Sequence, residues 1–156
     1  MIKKSIELIV ILGVILIFLI GCESVVPNIE IPPDEIVGGP GDPTIEFTYV
    51  PPYGSFVNLK GQVWHVKPAD YKVAVYIKVG SLGWWTKPYW STPLTVIKSN
   101  GSWICDITTG GTDEKATEIV AFLVPNGYSP PSMSGGSTLP SGLDENALAL
   151  AKVTRS

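Results

Sequence analysis

The stretch Tyr71 to Val79 constrains the fold more than any other part of this chain. Tyr71, Val73, Val75, Ile77 and Val79 alternate with Lys72, Ala74, Tyr76 and Lys78. An apolar period of two is the mark of a β-strand with one face in a core, so the second face is expected to be at least partly wet. Beyond residue 20 no apolar run of helical length competes with this pattern. The 16 glycines and 14 prolines break the remainder into short pieces, which favours strands and turns. With 156 residues the chain has room for one domain of common size.

The longest apolar run lies at the start. Lys3 and Lys4 precede the 13 residues Leu8 to Ile20, and Leu19-Ile20-Gly21-Cys22 closes the run. A helix needs roughly 20 apolar residues to cross a bilayer, so this run is too short to anchor and has the layout of an export signal. The four closing residues resemble the lipobox of prokaryotic lipoproteins. The resemblance implies cleavage before Cys22 and a diacylglycerol thioether on its sulfur, with residues 1–21 as the signal peptide. The protein is then expected in the cell envelope, lipid-anchored outside the cytoplasmic membrane or in the outer membrane.

From Cys22 to Pro43 the composition changes to Pro, Gly and acidic residues. Five carboxylates (Glu23, Glu30, Asp34, Glu35, Asp42) occur with no Lys or Arg. So little apolar surface cannot offset the entropy of ordering the segment, and residues 22–43 read as a linker. Its prolines and its self-repulsion favour extension, at about 3.1 Å per residue and so a reach of roughly 60 Å.

Residues 44–156 read as the domain. Strand signals cover 44–50, 59–66, 71–79, 83–87, 94–97, 102–108, 117–124 and 147–154, with turn residues between them. Seven or eight short strands in this length describe an all-β, immunoglobulin-like antiparallel sandwich without the Cys-Trp-Cys pattern of antibody domains. Trp103, Cys105 and Ile107 share one strand face, which makes Cys105 a core residue; with Cys22 lipidated it has no disulfide partner. The stretch 117–124 is apolar on both faces apart from Glu118 and suits a central strand. The 22 residues Pro125 to Asn146 are rich in Pro, Gly and Ser, and a loop of that length is functional, disordered, or hides a short helix, for which Leu143 onward is the candidate.

The segments Tyr71–Ile77, Gly83–Pro88, Cys105–Gly111 and Phe122–Tyr128 resemble an immunoglobulin-like accessory module of extracellular microbial proteins, often found beside glycoside hydrolase domains. The resemblance spans 44–156, and it carries no established functional residues.

Carbohydrate binding is the sharpest function the residues suggest. Sugar rings pack their C–H faces on flat aromatic side chains while nearby polar groups satisfy the hydroxyls. Trp84, Trp85, Tyr89 and Trp90 fall within seven positions. Neighbours in a strand point to opposite faces, so one of Trp84 and Trp85 is expected in the core and the other outward. Tyr89 and Trp90 lie past Pro88 in a loop, where they could join Tyr128 in one platform. The alternative is core and loop packing of the rings, with the domain serving as a structural or protein-interaction module.

Other chemistries have less to stand on. The domain carries nine basic and eight acidic residues without a basic cluster, which gives no reason to expect nucleic-acid binding. His65, the single histidine, and Cys105 sit in strands without an activating motif, so no catalytic role is expected. Asp113, Glu114 and Glu118 lack a calcium-ligand loop and read as a solvated turn; no metal or cofactor is expected. The partners expected are the membrane, through the lipid on Cys22, and a polysaccharide or surface protein. Replacing Cys22 by Ser is expected to abolish lipid labelling and release the protein from membranes; unchanged labelling and retention in a fractionation assay would contradict the assignment.

Overall fold

The computed structural model describes residues 37–156; the export signal, Cys22 and most of the linker lie outside the described residues. Among the described residues nine strands form two antiparallel sheets. They are β1 (Thr44–Tyr49), β2 (Leu59–Trp64), β3 (Tyr71–Lys78), β4 (Trp84–Lys87), β5 (Leu94–Val96), β6 (Ser102–Cys105), β7 (Glu118–Pro125), β8 (Ser134–Gly136) and β9 (Ala149–Thr154). One sheet has the order β1-β2-β6, and the other β8-β4-β3-β7-β9 with β5 also paired to β3. This is the expected all-β sandwich, and its strand positions follow the alternation in the sequence closely.

The inner core lies between the sheets. Val73, Val75 and Ile77 of β3 and Ile119, Ala121 and Leu123 of β7 meet Leu59, Val63, Trp103 and Cys105, all essentially without solvent contact. Gly61 is required here. It faces Trp103 in the register of β2 and β6, and a Cβ on it would lie 2.2 Å from the indole carbon Cζ2. Without that Cβ the ring lies flat over the strand, with Phe47 edge-on at 6.1 Å. Cys105 sits in this core as a free thiol, 1% exposed, and burial pushes its pKa up to about 12.

The second face of β3 is wet only at its ends, at Lys72 and Lys78, and is covered between them. Ala74 and Tyr76 are completely buried, together with Trp84, Val120, Phe122 and Val124, in a separate outer core. The cover is the long segment after β7. Tyr128, Met133, Leu139, Leu143 and Ala147 pack onto the sheet, and the segment contains strand β8 and a single helical turn, α1 (Leu143–Asn146). Tyr76 stands edge-on to Phe122 at 6.2 Å, and its hydroxyl donates to the Pro131 carbonyl at 2.7 Å. Leaving that hydroxyl unpaired would cost about 1–3 kcal/mol, so the bond fixes where the segment crosses the sheet. Burial raises the pKa of Tyr76 and keeps it a donor.

Two further contacts close the ends. Arg155, 7% exposed, donates to the carbonyls of Ala116 (2.9 Å), Pro51 (2.9 Å), Pro52 (3.4 Å) and Glu114 (3.3 Å), tying β9 to two connections. Packing also begins before Thr44, because Gly41 lies so close to the His65 ring that a Cβ would sit 2.6 Å from Nδ1.

Candidate functional site

Strands β4 and β5 pair with the same edge of β3. Val75 faces Lys87 while Ala74, the next residue, faces Leu94. The six residues Pro88 to Pro93 are therefore expelled from the sheet edge between two halves of one interrupted strand. Proline has no N–H to give a ladder and is tolerated at edges, so the two prolines suit the points of exit and return. The expelled chain closes on itself: Tyr89 pairs with Thr92, whose N–H donates to the Tyr89 carbonyl at 3.2 Å. Trp90 and Ser91 form the tip of this turn. Tyr89 is 54% exposed and Trp90 is 59% exposed, as the sequence suggests for a loop past Pro88.

The excursion forms one wall of a depression of about 840 Å³. Trp85, Tyr89 and Trp90 line it together with Leu82, and the opposite wall is the β6–β7 connection from Thr109 to Asp113. At Gly110 and Gly111 a Cβ would meet nothing within 4 Å, and at these two positions the wall is bare peptide. A smaller depression of about 230 Å³ is bounded by Trp90, Ser132, Met133 and Ser134. Trp90 thus borders both spaces.

Two attachments hold the walls. Met133 bonds to β4 twice: its N–H donates to the Thr86 hydroxyl at 2.7 Å, and its carbonyl accepts the Thr86 N–H at 3.1 Å. The same carbonyl accepts the Trp90 indole N–H at 3.1 Å, fixing the ring's edge against the outer layer. The second attachment is polar and buried. Lys87, the residue before Pro88, is 5% exposed, and its ammonium donates to the Asp113 carboxylate and to the Thr109 hydroxyl at 3.2 Å. Asp113 also accepts the Gly110 N–H at 2.9 Å, and Thr109 donates to the Pro88 carbonyl at 2.5 Å. The root of the aromatic turn is thereby tied to the facing loop.

The rings singled out in the sequence have different surroundings. Trp84 and Trp85 do point to opposite faces of β4, yet neither projects freely outward. Trp84 is 4% exposed in the outer core, with the ammonium groups of Lys78 and Lys152 each 5.9 Å from its ring. The covering segment is the reason, since it converts an outward face into an interior one. Trp85 is half-buried against the inner core, and no described group pairs with its indole N–H. Tyr128 is half-buried in the outer layer and does not line the depression with Tyr89 and Trp90. The backbone N–H of its neighbour Asn126 donates to the Asp70 carbonyl at 2.8 Å, which ties the start of the long segment to the short turn Pro68–Asp70 before β3.

The acidic turn also differs from the solvated one expected. Asp113 is buried against Lys87, and Glu118 accepts from Lys152 at 2.7 Å and Lys78 at 2.9 Å, which holds its carboxyl below the usual range. Among the described residues no group of three or more His, Cys, Asp or Glu is placed to hold a metal. Neither His65 nor Cys105 lines the depression. Set against known proteins, the chain matches no family, no curated protein and no solved structure significantly.

What the sequence reading missed is Lys87 and Asp113, 26 positions apart, of which only the acidic run around Asp113 stood out. Lys87→Ala is expected to lower stability by about 3–5 kcal/mol, because it strands a buried carboxylate. The double replacement Lys87→Met with Asp113→Leu should recover most of that loss. Chemical denaturation of the three proteins measures both effects.

Proposed function

We propose that this chain is a lipid-anchored surface protein whose β-sandwich binds polysaccharide without transforming it. The observation that carries the reading is the association of Trp85, Tyr89 and Trp90 in one depression of about 840 Å³. That size is ordinary for a ligand site. The exposed Trp90 ring, held by a hydrogen bond at its edge, loses little freedom on binding, so its contact with the C–H face of a sugar is not opposed by a large ordering cost. Peptide at Gly110–Gly111 and the hydroxyls of Ser91 and Thr112 supply partners for sugar hydroxyls. Because Trp90 borders a second depression, a ligand chain can continue past the ring, which favours a polymer over a single sugar. The anchor rests on the Gly21-Cys22 motif, and the acidic linker would hold the domain away from the lipid.

A second reading has its own support. On the outward face of the three-stranded sheet, Tyr49 (40% exposed), Lys60 and Ile104 (43% exposed) lie in one cross-strand row, and Phe56 nearby in sequence is 71% exposed. Such a row is suited to a protein partner.

The full-length chain in detergent, applied to a panel of insoluble polysaccharides, tests the first reading. The wild type is expected to be retained on at least one polymer, and Trp90→Ala to lose about tenfold or more in affinity, or ~1.4 kcal/mol. Equal retention of both proteins, or failure of the wild type on every polymer, contradicts it. Loss of a protein partner through Phe56→Ala alone would favour the second.

A further inference from the structure

We infer that the aromatic depression selects uncharged glycan chains and excludes polyanionic ones. The inference rests on the polysaccharide-binding reading and concerns the ligand's charge.

Two ionic groups border the space. Among the described residues, Lys87 and Asp113 are the only charged side chains lining the depression. They are 5% and 6% exposed and are bonded to each other, so the lining presents no net charge. The ammonium is further occupied by the Thr109 hydroxyl, and the carboxylate by the Gly110 N–H. A uronate carboxylate or a sulfate entering here would lose hydration without gaining a counter-ion. Turning Lys87 toward such a ligand would strand Asp113, a buried charge left alone, which is among the costliest changes a folded protein can undergo. The rest of the wall points the same way: Trp85, Tyr89, Trp90 and Leu82 offer apolar surface, and the polar remainder is hydroxyl and peptide. Hydroxyl-rich rings with exposed C–H faces match that surface group for group. The buried pair therefore fixes the wall's shape and keeps it electrically neutral.

Equilibrium binding of the full-length chain to two sets of soluble polymers tests this. The uncharged set comprises a β-glucan, a mannan and a galactan; the anionic set comprises polygalacturonate, alginate and heparin. The expected result is binding within the uncharged set, lost in Trp90→Ala, with affinity changing less than about twofold between roughly 50 and 500 mM salt, since screening has no charge pair to weaken. A polyanion bound as tightly as or more tightly than any uncharged polymer, salt-sensitive and lost in Trp90→Ala, would overturn the neutral-ligand inference while leaving polysaccharide binding standing. Binding to neither set would overturn the reading on which it rests.

Discussion

The architecture depends on the pairing of β3 with β7, eight residues in register from Tyr71–Pro125 to Lys78–Glu118. Away from Lys72, Lys78 and Glu118 both strands are buried on both faces, so neither face of the middle of their ladder can be left to water. The β1-β2-β6 sheet covers one side, as in any sandwich. The other side needs a cover that a two-sheet fold does not supply, and the chain provides it from the Pro-, Gly- and Ser-rich segment after β7. A connection that would otherwise be a disordered loop becomes a third layer, held by Tyr76 under Pro131 and by Leu143 on the helical turn.

That third layer also builds the site. Its passage beside β4 brings Met133 into reach of Thr86 and of the Trp90 indole, so the covering of the outer core and the orientation of the exposed ring share one residue. On the other side of the excursion the Lys87–Asp113 pair joins the root of the turn to the β6–β7 connection. The aromatic turn is exposed but anchored at its root and at Trp90. This combination is what the proposed binding role requires, since anchored side chains lose less freedom on contact than mobile ones.

Much of the fold was legible because the strands obey simple rules. The two-residue period places β3, the apolar stretch at 117–124 identifies a central strand, and the face shared by Trp103, Cys105 and Ile107 puts the thiol in the core. The outer layer was harder to see for a physical reason. Ala74 and Tyr76 are residues that tolerate either environment, and they share their strand face with Lys72 and Lys78, which do stay near solvent. β8 is Ser-Gly-Gly, with no strand propensity of its own; its pairing with Trp84 and Trp85 is dictated by tertiary contact. The same cover explains why Trp84 and Tyr128, both candidates for a binding platform in the sequence, are packing residues. The loop position of Tyr89 and Trp90 was legible from Pro88, but their exposure was not, because it depends on how the turn folds back beside Met133. The Lys87–Asp113 pair was not, since nothing local to either residue signals a partner across the sandwich edge.

The central claim is that the turn at Pro88–Pro93 and the half-buried Trp85 form the ligand-contacting surface. The chain has five tryptophans, and each gives its own indole N–H resonance. Titrating the protein with an uncharged oligosaccharide while following these five signals is the most direct test. Shifts confined to Trp85 and Trp90, with Trp64, Trp84 and Trp103 unmoved, are the predicted result. Binding that moves Trp64 and leaves Trp85 and Trp90 unchanged would place the ligand on another face and contradict the account.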